Sequence, residues 1–225
     1  MTKNRDSASY RAYQIIKDRI IRNEFDPRHK LNEIDWAKEL SLSRTPIREA
    51  LIMLEKDGLI SRYEHRKGFV LKQYSLQDIY DLYEFREVLE LALARDLVKN
   101  VTDQDLEQLG GILSQVDGLV KQNRPADALV KALDFHRCYI RICTKNSFII
   151  DSLSICYEKL IVISWTCQDI NTCVNSAKEH EKMLEALKTN DVDVFIRFNR
   201  EHIKGARDRI IDTLKMNGQK LYFLP

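Results

Sequence analysis

The sequence predicts a mainly α-helical protein in which an N-terminal winged helix-turn-helix domain, residues 1–74, precedes an antiparallel bundle of six or seven helices, residues 75–225. The 225 residues exceed the length of one average domain, and 44% of them are hydrophobic, which is enough for a buried core. Only 7 Gly and 4 Pro occur, which favours long helices over many short strands and turns. A β-type pattern appears only between Gly58 and Leu71.

Three helices are predicted ahead of the β-type segment. The first runs from Ala8 to Arg22 and has an apolar stripe at helical spacing, namely Tyr10, Tyr13, Ile16, Ile20 and Ile21. Asn32 can cap a short second helix, and Ser41–Ser43 is too short for anything but a tight turn. Ser43 then caps a third helix from Arg44 to about Asp57, with Pro46 in the first turn, where its missing N–H is tolerated.

Local signals also mark the predicted wing and the start of the bundle. Gly58 is placed to end the third helix in a left-handed conformation, and the polar segment from Tyr63 to Gly68 predicts the tip of a hairpin. Ser75 and Asp78 resemble a capping box, from which a helix runs to about Lys99. Later breaks between helices are predicted at Asn100–Thr102, Asn123–Pro125, Thr144–Ser147, Asn171–Thr172 and Asn190–Asp191.

Formal charge is distributed unevenly along the chain. Residues 1–74 contain 16 Lys and Arg against 11 Asp and Glu, a net charge of +5, whereas the remaining residues contain 20 against 23, a net charge of −3. A basic N-terminal part on an acidic body is typical of a nucleic-acid-binding domain followed by a domain with another task.

The cysteines and the apolar segments argue against two classes of protein. The 5 Cys form an odd number without a C-x-x-C pair, which is unlike a secreted disulfide framework. The apolar stretch Phe148–Trp165 is interrupted by Asp151, Glu158 and Lys159, and the first residues are polar, so we expect no membrane span and no targeting segment. We therefore expect a cytoplasmic protein whose cysteines are small buried hydrophobes rather than redox sensors.

The start of the third helix concentrates groups that contact nucleic acid. Ser43, Arg44, Thr45 and Arg48 all fall in its first turns. Arg can form two hydrogen bonds with guanine in the major groove, while Ser and Thr hydroxyls suit phosphate oxygens. Two Arg on a helix are more often a solvated basic face, but the hydroxyl-rich cap and the following hairpin favour DNA binding here.

This part of the chain resembles the GntR family of bacterial transcription regulators. The resemblance covers about residues 10–74 and rests on the run Ser43-Arg44-Thr45-Pro46-Ile47-Arg48-Glu49-Ala50-Leu51, followed by Leu54 and Gly58-Leu59-Ile60. It implies that Arg44 and Arg48 contact operator DNA and that Ser43 and Thr45 anchor the DNA backbone. It also implies that the wing reaches the minor groove through His65, Arg66, Lys67 and Gly68, although charged hairpin tips are common on any protein.

Three histidines in the second domain lie on apolar helix faces. Apolar residues at helical spacing share a helix face with each of His136, His180 and His202, so all three histidines are predicted to point into the bundle. A single histidine on such a face is usually a core residue with one hydrogen bond. Three histidines that converge from different helices instead suggest a metal site, because neutral imidazole is the commonest protein ligand for zinc and related ions.

The second domain resembles the FCD (FadR C-terminal domain) branch of the same family. The resemblance rests on Arg86-Glu87-Val88-Leu89-Glu90, on Phe135-His136, and on Glu179-His180 with the downstream His202. It implies a divalent metal bound by the three histidines and by an Asp one helical turn before the first. Ala132 stands at that position here, and Asp134 points to the opposite side of the helix. A three-histidine site could still hold zinc or nickel, with water or an effector carboxylate completing the coordination.

The same resemblance predicts where an effector binds. Arg86 matches a position that faces the effector cavity, where a guanidinium can pair with a carboxylate, and Tyr139 could line that cavity too. The alternative for Arg86 is a surface ion pair with Glu90, one turn further along the helix.

Together these features predict a homodimeric transcription regulator, a repressor, that binds a palindromic DNA operator and responds to a small organic acid. Two alternatives remain at this point. One is an effector-independent or architectural DNA-binding protein, which Ala132 allows. The other is a metal-dependent enzyme built on the three histidines, which lacks a general base beside the ligands and leaves the winged domain unexplained.

Overall fold

The computed structural model of the protein describes residues 7–24, 31–63, 68–165 and 170–216. The described residues divide into two compact units, with the boundary between Gln73 and Tyr74. They confirm the predicted fold class, because a small antiparallel sheet in the first unit is the only β-structure among them. Within these residues, no helix is both long enough and apolar enough to cross a membrane.

The N-terminal unit contains three helices and a two-stranded sheet: α1 (Ala8–Ile21), α2 (Glu33–Glu39), α3 (Arg44–Lys56), β1 (Ile60–Arg62) and β2 (Phe69–Leu71). The strands are antiparallel with Ile60 opposite Leu71, and Leu31 adds an isolated bridge to Phe69. Asn32 caps α2, since its side chain accepts a hydrogen bond from the backbone N–H of Ile34 at 2.9 Å. These elements have the order and connections of a winged helix-turn-helix.

Packing of α3 fixes which of its faces is exposed. Ile47, Ala50, Leu51 and Leu54 are fully buried and lie against α1. Burial of one such aliphatic side chain contributes about 1.5–3 kcal/mol to the stability of the fold. These buried residues therefore fix the rotation of α3 about its own axis. Gly58, with φ of +77°, lets the chain turn directly into the first strand after α3, as predicted. The opposite face of α3 is therefore presented outward.

The C-terminal unit is a bundle whose described residues form six helices: α4 (Leu76–Asn100), α5 (Asp103–Lys121), α6 (Pro125–Cys143), α7 (Ser147–Ser164), α8 (Ile170–Lys188) and α9 (Val192–Met216). The capping box predicted for Ser75 and Asp78 is present, and Thr102 with Asp105 forms another at the start of α5. The predicted break at Asn171–Thr172 is wrong, because both residues lie in the first turn of α8, where polar residues are tolerated.

Four helices of the bundle surround one polar centre, which consists of the buried side chains of Arg86, His136, His180 and His202. Helix α9 packs against both α4 and α8, and α6 packs against α4 and α8. Leu133 and Phe135 are buried beside this centre. The ring of Phe135 lies 4.8 Å from the ring of His180, centroid to centroid, so aromatic packing sets the position of that imidazole.

Candidate functional site

The predicted DNA-contacting residues of α3 lie on its exposed face. Ser43, Arg44, Thr45 and Arg48 are all exposed, and the side chains of the two arginines are 68% and 67% accessible. Ser43 occupies the N-cap position, but within the described residues its side chain makes no capping hydrogen bond. Ser43 is thus exposed at the N-terminus of α3, where backbone N–H groups attract anions.

One carboxylate lies between the two arginines. Glu33, at the start of α2, accepts a hydrogen bond from Arg44 Nη2 at 3.2 Å and lies 3.9 Å from Arg48 Nε. Glu33 is largely buried, whereas both of its partners are exposed. It thus restrains two long side chains toward the same outward direction. Nothing in the residue spacing of the sequence reveals this contact, which depends on the angle between α2 and α3.

The wing contributes a third exposed cation. Arg62 in β1 bonds to Glu55 of α3 at 3.0 Å and lines a groove together with Arg44 and Arg48. Gly68, at the base of the wing, has φ of +128°, a conformation that side-chain-bearing residues rarely adopt. The other predicted wing residues, His65, Arg66 and Lys67, lie outside the described residues.

The three predicted metal-binding histidines meet in the bundle core. His180 Nε2 lies 3.1 Å from His136 Nε2 and 3.2 Å from His202 Nε2, and all three rings are buried. They come from α8, α6 and α9, respectively. Among the described residues they form the one group of His, Cys, Asp and Glu side chains with ligand atoms close enough for a shared metal ion.

Burial keeps these imidazoles neutral. Desolvation lowers the pKa of His136, His180 and His202 well below the usual range, and the nearby positive charge of Arg86 lowers it further in each case. The neighbouring imidazoles act in the same direction on the pKa of His136 and His180. A neutral imidazole has a free lone pair, which is the form that binds metal ions.

A second layer of contacts fixes the orientation of His202. Its Nδ1 lies 2.9 Å from Glu179 Oε2, and since a carboxylate can only accept, Nδ1 carries the hydrogen and Nε2 keeps its lone pair toward the other histidines. Glu179 is held in turn by both terminal nitrogens of Arg209, at 2.7 and 2.8 Å. His180 Nδ1, by contrast, is buried without a hydrogen-bond partner among the described residues.

Arg86 and Glu90 form a buried ion pair beside the histidines. Arg86 Nε donates to Glu90 Oε1 at 2.5 Å, and the two side chains are almost completely inaccessible. Tyr157 donates to Glu90 Oε1 at 2.8 Å, and Tyr139 donates to its other oxygen. Burial opposes the charge on Arg86, but Glu90 and the two tyrosines outweigh it and raise the pKa of Arg86 above its usual value. The alternative of an Arg86–Glu90 pair is thus realised, but in the core and not on the surface.

A small cavity of about 70 Å³ adjoins the histidines and Arg86. Its wall includes Ala132, Leu133 and Ser164 besides all three histidines. Tyr139 is absent from the described residues of this wall, and its hydroxyl donates to Glu90. Tyr157, which the sequence analysis did not single out, lines the wall. Asp134 bonds to Lys131 at 3.0 Å and takes no part in the cluster, as its helical position predicted.

The first unit presents an exposed, arginine-bearing helix with an adjoining wing, and the chain continues into a helical bundle with a buried polar centre. This combination defines a winged-helix DNA-binding regulator. The model of the bacterial regulatory proteins of the gntR family matches residues 8–71, and the FCD domain model matches residues 81–205. The chain belongs to the GntR family and carries its FCD domain. It is a DNA-binding transcriptional regulator and not an enzyme.

Relatives with established names are also transcription regulators. The chain is 25% identical over 198 residues to the Nta operon transcriptional regulator of Aminobacter aminovorans, covering 88% of this chain and 92% of that one. It is 26% identical over 206 residues to the gluconate operon transcriptional repressor of Bacillus subtilis (strain 168), covering 89% and 84%. A solved structure of a putative transcriptional regulator GntR from Rhodococcus sp. RHA1 matches with a TM-score of 0.80 at 21% identity, covering 91% and 97% of the two chains, which shows a shared fold.

Proposed function

We propose that the protein is a ligand-responsive repressor that binds a palindromic operator as a homodimer in the cytoplasm. The observation that carries the ligand response is the buried polar centre, in which three neutral imidazoles and Arg86 border a cavity. Buried polar groups without partners are costly, and His180 Nδ1 is one of them among the described residues, so the centre is suited to binding rather than to stability alone. The repressor assignment follows the name of the gluconate operon relative.

The cluster fits a divalent metal ion, zinc or nickel. A tetrahedral zinc ion holds nitrogen ligands about 3.3 Å apart. The two Nε2 separations from His180, 3.1 and 3.2 Å, are close to that value, and the ligand atoms of all three histidines lie within 4.8 Å of one another. The Nε2 atom of His180 is close to the Nε2 atoms of both His136 and His202. A hydrogen on His180 Nε2 could form a hydrogen bond with only one of them, whereas a cation can bind the lone pairs of all three Nε2 atoms. Ala132 supplies no fourth ligand, so the remaining coordination positions would be open to water or to an effector.

The effector class that suits this centre is a small organic acid. Glu90 already neutralises Arg86, so in the metal-bound form the ion itself supplies the unbalanced positive charge of the cavity. A carboxylate would balance it and occupy the open coordination positions. The cavity of about 70 Å³ favours a compact molecule with few carbon atoms.

Selection of bound duplexes from a random DNA pool tests the DNA-binding part of the proposal. We expect enrichment of one palindromic sequence, and we expect Arg44→Ala to weaken operator binding about 10- to 100-fold and to relax the preference at one position of each half-site. Lys56→Ala is the matched control, because Lys56 is an exposed cation at the other end of α3. A purified protein that ignores every duplex at moderate salt would contradict the proposal.

A second candidate is an effector-independent regulator in which the histidine centre is structural. The Arg86–Glu90 pair favours it, since Arg86 already has an internal carboxylate partner. A thermal-shift screen of small organic acids, with and without added zinc, separates the two candidates. A sensor is stabilised by its ligand, by about 2.7 kcal/mol at 100 times the dissociation constant, whereas a structural centre responds to the metal alone.

A further inference from the structure

The outward face of α4 has an unusual sequence of exposed residues. Asp81, Phe85, Val88, Ala92, Arg95 and Lys99 are all exposed, and they follow one another at alternating intervals of four and three residues. We refer to these six residues as the α4 outer stripe. Alternating steps of three and four keep side chains on one face of a helix and are the spacing at which two helices pair.

The apolar centre of the stripe lacks cover in the described structure. Val88 is 62% exposed and Phe85 is 40% exposed. The opposite face of α4 is buried in the bundle through Tyr83, Glu90 and Leu97. A helix in a bundle needs one apolar face, so the second apolar strip of α4 is not required by the fold of the single chain.

The charges at the two ends of the stripe are complementary under two-fold symmetry. Asp81 lies seven residues before Val88, and Arg95 lies seven residues after it. When two copies of α4 cross antiparallel with the symmetry axis at Val88, Asp81 of each copy faces Arg95 of the other. A parallel arrangement would instead place Asp81 against Asp81 and Arg95 against Arg95, which is unfavourable.

We propose that the α4 outer stripe is the surface through which two copies of this chain pair, antiparallel, about a two-fold axis at Val88. The inference rests on the homodimer of the proposed function and adds the surface and the relative direction of the two chains. It also places the interface on the same helix as Arg86 and Glu90, which lie two residues on either side of Val88 and line or adjoin the histidine centre. Occupation of that centre would thereby act on the helix that joins the two chains.

Charge reversal tests the pairing in the full-length protein. Asp81→Arg alone places the introduced guanidinium against Arg95 of the other copy, twice in each dimer, and Arg95→Asp alone places two aspartates together in the same way. By analytical ultracentrifugation we expect each single variant to raise the dimer dissociation constant about tenfold or more. An equimolar mixture of the two variants restores both opposite-charge pairs in a heterodimer, and native mass spectrometry should detect that heterodimer in preference to either homodimer.

Further variants separate this surface from general effects. Glu107→Arg, at an exposed acid on α5, is the control for the change in charge and should leave the association unchanged. Val88→Cys places a thiol next to its own symmetry mate and should give a rapid intermolecular disulfide, while Phe148→Cys, at a site that is 83% exposed, should not. The heterodimer rescue also excludes misfolding as the cause of dissociation.

The possible results distinguish failure of this inference from failure of the proposed function. A wild-type protein that remains monomeric at high concentration would overturn the proposed homodimer, and the pairing surface with it. A stable wild-type dimer that tolerates both single charge reversals would overturn the α4 surface alone. In that case Asp81 and Arg95 would serve only to complement the dipole of α4.

Discussion

At the scale of single residues, we expect Glu33 to have two different effects on DNA binding if Arg44 and Arg48 contact the operator as proposed. Its carboxylate holds Arg44 and Arg48 toward the groove, but its negative charge also lies close to the place where phosphates would bind. Restraint of the arginines favours the correct base sequence, because bidentate contacts with guanine need a defined geometry. Repulsion of phosphate weakens binding to every sequence equally. The restraint thus raises discrimination, whereas the repulsion lowers affinity without changing discrimination.

The variant Glu33→Gln should therefore bind DNA of any sequence more tightly and distinguish the operator from random DNA less well. We expect affinity for a random duplex to rise about two- to fivefold, in line with the small energies of partly exposed ion pairs, and the ratio of operator to random affinity to fall. Fluorescence anisotropy with both duplexes at several salt concentrations measures this. Asp35→Asn removes an equal charge from an exposed site on the same helix and serves as control. A Glu33→Gln protein with undiminished discrimination would contradict the restraint.

Glu179 is expected to act on the proposed metal site without contacting the ion. It fixes the ring of His202 through Nδ1, so its loss would free that imidazole to rotate or to change tautomer. We expect Glu179→Gln to lower zinc affinity about 10- to 100-fold, measured by competition with a chromogenic chelator. Glu185→Gln, at an exposed position of the same helix, should leave zinc affinity at the wild-type value. Equal zinc affinity in both variants would exclude this positioning function.

At the scale of elements, the buried carboxylate of Glu90 joins three helices. Arg86 and Glu90 lie on α4, Tyr139 on α6 and Tyr157 on α7, and all three other side chains donate to Glu90. Glu90→Gln leaves the Arg86 charge buried without its counterion, which costs about 3–5 kcal/mol in similar pairs. Urea unfolding should show this loss, whereas Asp117→Asn, in the exposed pair with Lys121, should have a much smaller effect because solvent screens that pair. A loss of similar size in both variants would mean that Glu90 contributes little beyond an ordinary surface pair.

The ends of the helices and the helix faces on which the histidines lie could be predicted from the sequence, because both depend on local interactions. The capping signal of Ser75 and Asp78 acts over three residues, and an apolar stripe around His136 already determines the face on which it lies. The Glu90 network could not be predicted in the same way. Tyr139 and Tyr157 are 49 and 67 residues from Glu90, and their convergence depends on how three helices pack. The position of Tyr139, directed to Glu90 and not to the cavity, has the same origin.

At the scale of the whole molecule, the proposed function assigns recognition of DNA to the first unit and recognition of a ligand to the second. The charge of the sequence already indicated which part binds DNA, since residues 1–74 carry a net charge of +5 and the remaining residues one of −3. Pairing through α4 would join two recognition domains in one particle, and two half-sites then supply the specificity that one short helix cannot. A ligand in the bundle can change this binding only if its affinity differs between the DNA-bound and free forms.

That requirement makes the coupling measurable from both directions. If a saturating organic acid lowers the operator affinity of the zinc-loaded protein by some factor, a saturating operator must lower the affinity for the acid by the same factor. We expect a factor of about 5–150, measured by anisotropy for the operator and by calorimetry for the acid. If a His136→Ala protein still binds the operator but its operator affinity does not change with the acid, the coupling depends on the histidine centre. An acid that binds the wild-type centre tightly without any change in operator affinity would show that the bundle binds ligand without regulating the recognition domain.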